Sequence, residues 1–186
     1  MIENKTFKKV DFTTDYLTLD EYDNCTFVDC NFSDSNLNNI VFVECEFIDC
    51  NLSLCKTQNT SFKDVRFENC KLLGLDFSEC NPFLLAMNFE GCFMNLSSFY
   101  QVKLKEKSFN ECSLQEVDFT EADLSGSSFS NCDLKRAIFD RTILLKANLS
   151  SASNYIIDPE NNRVKGAVFS KDGLIGLLDK YSIKLG

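Results

Sequence analysis

A five-residue period runs through most of this chain and limits the folds that it can adopt. From Phe109 to Leu149 every fifth residue is Phe or Leu, and the residue two places earlier is mostly small. Asp or Asn often stands between them, as in Ala122-Asp123-Leu124 and Ala147-Asn148-Leu149. A period of five matches neither the 3.6-residue turn of an α-helix nor the two-residue alternation of a flat strand. The repeat itself therefore has to determine the fold.

The repeat continues towards the N-terminus with one interruption. Its register runs back from Phe77 to Phe7, is broken at Pro82, and is restored by a shift of two residues from Leu84 onward. We therefore predict a two-residue bulge near residues 81–83. Proline fits a bulge because it has no backbone N–H to donate to a strand ladder.

This pattern resembles the A-(D/N)-L-X-X repeat of the pentapeptide-repeat family. Within that family the chain is most similar to the Qnr-type quinolone-resistance proteins and DNA mimics, because of its near-complete repeat, its excess of acidic residues and its C-terminal ending. The resemblance implies an all-β fold, a right-handed quadrilateral parallel β-helix with one pentapeptide on each side and four in each coil. A fold alone does not specify a function, which has to be argued from the surface.

Residues 20 apart should stack on the same side of such a β-helix, and the sequence agrees with this expectation. When the insertion is allowed for, Phe mostly matches Phe and Leu mostly matches Leu in successive coils before and after it. This predicts one continuous solenoid of about seven coils. We expect the β-helix to span residues 1–152, with an irregular N-terminal coil over residues 1–24, where Lys5, Asp15 and Asp20 occupy positions that should be small and inward-facing. One side would carry Phe7, Phe27, Phe47, Phe67, Phe89, Phe109, Phe129 and Leu149.

Residues 153–186 are expected to form a C-terminal turn and a short capping helix. A turn signal lies at residues 158–162, Ser170 is a candidate N-cap, and apolar residues follow it at helical spacing. The simplest interpretation is a plug on the last coil. Qnr-type proteins dimerise through C-terminal elements, so the resemblance also implies a homodimer contact here. The candidate cap and dimer residues are Phe169, Leu174, Ile175, Leu177, Leu178, Tyr181, Ile183 and Leu185.

All ten cysteines fall two residues before a repeat centre, at the small inward position. Cysteine behaves there as a small hydrophobic residue. Cysteines on successive coils would have Cα atoms ~4.8 Å apart, which lies within the Cα–Cα range of disulfides, but a cytoplasmic setting disfavours such bonds. Zinc needs about four converging ligands, and the chain has neither a C-x-x-C motif nor a histidine. We expect no metal and no cofactor, and a redox role is the weakest hypothesis for the ladder Cys30, Cys50, Cys70, Cys92, Cys112 and Cys132.

Composition argues against an enzyme and against direct binding of nucleic acid. The chain has no histidine, the commonest general base, and no glycine-rich phosphate-binding motif. Its net charge of −9 disfavours contact with nucleic acid and suits a basic partner. No apolar run approaches the ~20 residues of a membrane span, and the N-terminus lacks the apolar region of a secretion signal. We expect a cytoplasmic protein that does not enter a membrane.

Acidic residues are concentrated near the N-terminus. Between Lys9 and Lys56 there are ten acidic residues and no basic one. This window makes ~11 Å of rod, over which duplex DNA would carry ~6 or 7 charges. The candidate partner-binding residues are Asp11, Glu21, Asp23, Asp29, Asp34, Glu44, Glu46 and Asp49.

Two functions remain open from the sequence. The Qnr resemblance implies a non-enzymatic DNA mimic that binds DNA gyrase or topoisomerase IV, both type II topoisomerases, and protects or regulates the enzyme. Many Qnr proteins carry two longer loops, whereas this chain has one short bulge, so any such activity would depend on the surface of the rod. The alternative is an interaction scaffold with an unknown partner. A continuous acidic stripe favours mimicry, and scattered acidic residues favour a scaffold or a merely solvated surface.

Overall fold

The computed structural model describes residues 1–15, 17 and 21–183. In these residues the backbone winds into a parallel β-solenoid with four sides, which confirms the expected right-handed quadrilateral β-helix. Each short strand pairs with the strand one coil away. The strands are β1 (Ile2–Glu3), β2 (Thr6–Lys8), β3 (Glu21–Asp23), β4 (Thr26–Val28), β5 (Val41–Val43), β6 (Glu46–Ile48), β7 (Ser61–Lys63), β8 (Val65–Glu68), β9 (Met87–Glu90), β10 (Ser108–Asn110), β11 (Ser128–Ser130), β12 (Asn148–Leu149) and β13 (Val168–Phe169).

Face 1 is the side that runs the whole length of the rod. Among the described residues it holds nine strands, β2, β4, β6 and β8 to β13, which define eight coil steps and a length of ~38 Å. Phe47 pairs with Phe67, and Phe67 pairs with Phe89, so the coil from Phe67 to Phe89 is two residues longer than the coil from Phe47 to Phe67. The final pair, Leu149 with Phe169, continues the ladder beyond residue 152, where we had expected it to end. The backbone completes one more coil there although the sequence repeat has faded.

The other sides follow face 1 in chain order. Face 2 is bridged from Asp11 through every coil to Ser153. Face 3 is bridged between Asn36 and Lys56 and then from Asp76 to Ile138. Face 4 begins with β1, β3, β5 and β7, and it continues with bridges between residues 103, 123, 143 and 163.

The predicted bulge leaves the rod on face 4. Asn81 N–H donates to Thr60 O at 2.8 Å, and Ala86 N–H donates to Phe62 O at 2.9 Å, so both ends of the bulge stay on the ladder. Between them Phe83 is 67% exposed and Leu84 is 63% exposed. The expectation that Leu84 is an inward repeat centre is therefore wrong, because the extra residues are absorbed by turning this stretch outward.

Stacked aromatic rings fill the interior. Phe77 and Phe99, one coil apart, have ring centroids 4.5 Å apart and planes within 4° of parallel. Rings on opposite sides of the coil meet edge to face across the interior, as Phe89 of face 1 and Phe99 of face 3 do at 6.1 Å and 76°. Both arrangements are favourable for aromatic quadrupoles, and each buried ring contributes about 1.5–3 kcal/mol through removal from water.

The small inward position also supplies hydrogen bonds between coils. Cys50 Sγ donates to Phe27 O at 3.3 Å, and Ser127 Oγ donates to Leu104 O at 2.5 Å. In both cases the acceptor is a repeat centre of the preceding coil. A buried hydroxyl or thiol at this position therefore has a partner, which explains why Cys, Ser and Thr occupy it as readily as Ala.

The chain turns each corner at the residue two places after a repeat centre. That residue usually has a positive φ, which suits Asn, Asp and Gly. Corner 4/1, between faces 4 and 1, holds Asn4, Asn24, Glu44, Asp64, Glu106, Gly126, Lys146 and Gly166. Corner 1/2 holds Lys9, Asp29, Asp49, Asn69, Gly91, Glu111 and Asn131. Corner 2/3 holds Asp34, Leu54, Gly74, Leu96, Glu116 and Arg136.

Two charged residues of the first coil occupy positions that are mostly small and inward-facing in the later coils. Lys5 and Asp15 are both exposed, so their charges stay in water. Asp20 lies outside the described residues.

The C-terminal segment caps the last coil. After β13 come a 3-10 turn (Asp172–Leu174), helix α1 (Ile175–Leu178) and a second 3-10 turn (Asp179–Tyr181). Ser170 Oγ accepts a hydrogen bond from Gly173 N–H at 2.9 Å, as an N-cap side chain does, but the first turn begins one residue later than predicted, with Lys171 at its cap position. Buried Gly176 accepts from Ile157 N–H at 3.0 Å, which fixes the helix to the rod.

Candidate protein-interaction surfaces

The eight candidate acidic residues are spread over three sides of the rod. Glu21 and Asp23 lie on face 4, Asp11 lies on face 2, and Asp34 lies at corner 2/3. The other four, described next, surround face 1. The candidate set as a whole therefore forms a broad acidic region of the N-terminal coils instead of a narrow stripe.

Four of the candidates come together around the N-terminal part of face 1. Glu46 begins β6 on the face itself, and Glu44 lies at corner 4/1 beside it. Asp29 and Asp49 lie one above the other at corner 1/2. These carboxylates flank the face on both sides.

Three further acidic residues belong to this surface and were missed by the sequence analysis. Asp64 lies directly above Glu44 at corner 4/1, and Glu68 pairs with Glu90 on face 1. The stretch without basic residues ends at Lys56, so it does not include them. They are neighbours of the candidates from coil to coil and not along the chain. We call the resulting surface the acidic face; it comprises Asp29, Glu44, Glu46, Asp49, Asp64, Glu68 and Glu90.

Two basic residues pair with carboxylates of the acidic face, and one of them, Lys9, has its Nζ 3.9 Å from Asp29 Oδ2. Arg66 Nη2 lies 2.7 Å from Glu90 Oε2 and 3.1 Å from Glu68 Oε2. The hydrogen bond to Glu90, with the nearby charge of Glu68, raises the pKa of the Arg66 guanidinium. Seven carboxylates, the Arg66 guanidinium and the paired Lys9 ammonium leave this surface with a net charge of −5.

Asp11 has a local structural role. Its carboxylate accepts hydrogen bonds from Thr13 N–H at 3.1 Å and from Thr13 Oγ1 at 2.7 Å. These bonds from Thr13 lower the pKa of Asp11. The side chain thereby stabilises the turn that follows it.

The C-terminal candidates divide into a cap and an exposed surface. Phe169 and Leu177 are partly buried against the core, while Leu185 lies outside the described residues. A groove of about 340 Å³ is lined by Pro159 and Glu160 together with the exposed candidates Leu174, Leu178 and Tyr181. The exposed candidates, which we call the C-terminal apolar surface, are Leu174, Ile175, Leu178, Tyr181 and Ile183.

Among the described residues no helix is long and apolar enough to span a membrane.

All ten cysteines are buried as free thiols. Burial raises the pKa of Cys45, Cys55 and Cys80 to about 12 in each case. Across residues 1–15, 17 and 21–183, no group of three or more His, Cys, Asp or Glu side chains is arranged to hold a metal ion. The thiols act as packing groups and carbonyl donors.

The repeat register also matches a family model. A model described as a pentapeptide repeat region matches residues 20–83 and 81–149. This chain belongs to the pentapeptide-repeat family. The two matches overlap at residues 81–83, where the register shifts by two residues.

The fold is similar to solved structures of another member of this family. Full-length QnrB1, a plasmid-mediated fluoroquinolone resistance protein, has a TM-score of 0.55 and 17% identity over 97% of this chain and 99% of that chain. A trypsin-treated variant of QnrB1 has a TM-score of 0.51 and 17% identity over 100% and 98% of the two chains. No curated protein sequence matches this chain. At this level of identity the similarity shows the fold, and the pentapeptide-repeat surface has to be considered on its own residues.

Proposed function

We propose that this pentapeptide-repeat protein is a cytoplasmic, non-enzymatic DNA mimic that binds DNA gyrase or topoisomerase IV and protects or regulates that enzyme. The observation that carries the proposal is the acidic face, where seven carboxylates lie along one side of a rigid rod. The similarity of its fold to QnrB1 supports the choice of partner.

The carboxylates at the two corners form two parallel columns. Glu44 and Asp64 lie on one side of face 1, and Asp29 and Asp49 lie on the other. A strand of three residues separates the columns by ~10 Å, and successive coils repeat each column every ~4.8 Å. Two rows of regularly spaced negative charge resemble the two phosphate backbones of a duplex, which a basic DNA-binding saddle can recognise without reading bases.

The charges are attached to a rigid backbone. Asp29 N–H donates to Ile48 O at 2.9 Å, and Asp49 N–H donates to Glu68 O at 2.9 Å. Corner residues are therefore fixed to the coil above them. A partner that binds this surface loses little ordering entropy, which favours affinity.

We also propose that two copies associate through the C-terminal apolar surface. Ile175 is 59% exposed, Tyr181 is 52% exposed and Ile183 is 53% exposed, all at one end of the rod. Clustered exposed apolar side chains are typical of an interface. A twofold contact at this end would place two rods end to end and lengthen the acidic surface.

The first test is gyrase supercoiling in the presence of ciprofloxacin, with this protein titrated in. Recovery of supercoiling supports protection, and Glu44→Lys with Asp49→Lys should abolish the recovery. The matched control is Asp34→Lys with Glu116→Lys, which reverses one Asp and one Glu at corner 2/3 and should protect like the unaltered protein.

The other outcomes separate the parts of the proposal. Inhibition without protection would keep DNA mimicry and remove the resistance role. No effect of a protein whose circular dichroism shows an intact fold would favour the scaffold.

One observation favours a scaffold as the second candidate. An apolar strip occupies face 2 and corner 2/3, where Leu54, Leu73, Phe93 and Leu96 are 59%, 41%, 57% and 59% exposed. Such a strip is suited to an apolar partner surface. If the protein is a scaffold, Phe93→Ser should lose partners that the protein captures from a lysate, while Glu44→Lys with Asp49→Lys should keep them.

A further inference from the structure

Face 4, taken with corner 4/1, carries opposite charge at its two ends. Five acidic residues and one basic residue give its N-terminal half a net charge of −4, whereas five basic residues and two acidic residues give its C-terminal half a net charge of +3. The N-terminal set is Glu3, Glu21, Asp23, Glu44, Asp64 and Lys63. The C-terminal set is Lys103, Lys105, Lys146, Arg163, Lys165, Glu106 and Asp123.

Most of these charges are not neutralised within the chain. In the part of the chain that the structure describes, the one ion pair within the two sets joins Lys105 and Asp123 at 3.1 Å. Most charges of the acidic half lie farther from those of the basic half than the Debye length at physiological salt, ~8 Å. The electrostatic attraction between the two halves of one chain is therefore weak. The opposite charges are therefore available to an outside partner.

An apolar bulge lies at the midpoint between the two halves. Face 4 has four rows of residues before the bulge, from β1 to β7, and four rows after it, at residues 103, 123, 143 and 163. Phe83 and Leu84 project from the bulge, and half-exposed Tyr100 lies beside them. A cleft of about 530 Å³ opens between Pro82 and Leu85 on one side and Tyr100 and Val102 on the other. An exposed apolar protrusion beside an apolar cleft is the pattern of an interface centre.

We propose that a second copy of this chain binds antiparallel along face 4, with the twofold axis through the bulge. A twofold contact requires a self-complementary surface, and this face meets that condition. The bulge of one copy meets the bulge and cleft of the other, and each acidic half meets a basic half. A parallel arrangement would place like charges together.

The twofold axis determines which rows of face 4 in the two copies lie opposite each other, counted outward from the bulge. Asp64 faces the row of Lys103 and Lys105, and Glu21 faces the row of Lys146. In the outermost rows Glu3 faces Arg163 and Lys165. Like charges also meet in two places. Glu44 faces Asp123, which Lys105 already neutralises, and Lys63 and Asp64 face a row that holds Lys103 and Glu106 as well, so the row next to the bulge contributes little net attraction.

The size of the face predicts a weak contact. A surface ~38 Å long and ~15 Å wide gives ~570 Å² of flat area from each partner, less than the ~800 Å² of a standard interface. We therefore expect self-association in the micromolar range that weakens as salt is added.

The test is sedimentation velocity at low salt in an Ile175→Ser, Ile183→Ser background, which disables the C-terminal apolar surface. The first variant adds Glu21→Lys and Asp64→Lys, and the second adds Lys103→Glu and Lys146→Glu. Each variant alone places like charges opposite each other, so its self-association should weaken at least about tenfold. A mixture of the two variants restores every opposite-charge match and should associate as the background protein does.

A matched control reverses two charges elsewhere. Asp34→Lys with Glu116→Lys changes corner 2/3 by the same charge as the first variant and should leave self-association unchanged. The proposal is overturned if the background protein stays monomeric, if the two variants associate as well as it does, or if their mixture stays monomeric while circular dichroism shows intact folds.

Discussion

Phe109 and Phe129 stack one coil apart, with ring centroids 4.9 Å apart and ring planes within 2° of parallel. Both rings are fully buried, and Phe109 also stacks on Phe89 at 5.2 Å. Phe109→Ala should lower the free energy of unfolding by about 3–5 kcal/mol, because it removes a buried ring and leaves a cavity in a rigid stack. Urea denaturation measures this loss.

Phe93 provides the control, because it points outward from face 2 and is 57% exposed. Phe93→Ala should cost less than about 1 kcal/mol. Equal losses for the two substitutions would contradict the view that the inner stack stabilises the rod.

The cysteines should be unreactive in the native protein. All ten are buried, and burial raises the pKa of Cys45, Cys55 and Cys80 to about 12. Because all ten thiols are buried and out of reach of the reagent, Ellman's reagent should modify them only after denaturation, and then all ten. Fast modification of several thiols in the folded protein would show that the coils open readily.

Gly176 should be essential for docking of α1. A Cβ added there would lie 1.9 Å from the backbone oxygen of Tyr155, which cannot move without disturbing the last coil. Gly176→Ala should therefore detach the C-terminal segment and speed its removal by limited proteolysis. Ile175→Ala, one residue earlier and 59% exposed, is the control and should leave the cleavage rate unchanged.

Acid should also release the C-terminal segment. Hydrogen bonds from Lys180 lower the pKa of Asp158 and of Glu160 in the folded protein. A carboxyl group with a lowered pKa stabilises the fold above its unfolded pKa, and this contribution is lost as the pH falls through the folded value. We expect the segment to detach below about pH 4, while the coils stay folded.

The ring signals of Tyr181 in an NMR titration would report this release, since its hydroxyl donates to Glu160 at 2.8 Å. Lys180→Ala should shift the transition towards the ordinary carboxyl pKa values. An unchanged transition in Lys180→Ala would show that these ion pairs do not hold the segment.

The sequence predicted the coil well because the five-residue period follows directly from the four-sided geometry. The pairing of Phe67 with Phe89 and the inward position of every cysteine could both be counted from the chain. Leu84 was misplaced, because a bulge is positioned by local backbone bonding that a period does not contain. The final pair, Leu149 with Phe169, was missed because backbone pairing continues after the repeat residues end.

The acidic face was only partly visible in the sequence. A search along the chain groups Asp11 with Asp29, which lie on different sides, and separates Glu44 from Asp64, which lie one above the other. Neighbours across coils are a full turn of the solenoid apart in the chain, so charge has to be counted by side. The partner is less predictable still, because members of this family share the coil and differ on its surface.

The DNA-mimic proposal is tested most directly by competition between this protein and a labelled duplex for DNA gyrase, followed by fluorescence anisotropy. The unaltered protein should displace the duplex, and Glu44→Lys with Asp49→Lys should displace it at least about tenfold less effectively. The control with Asp34→Lys and Glu116→Lys should compete like the unaltered protein. Failure of the folded, unaltered protein to displace the duplex at low salt would contradict the proposal.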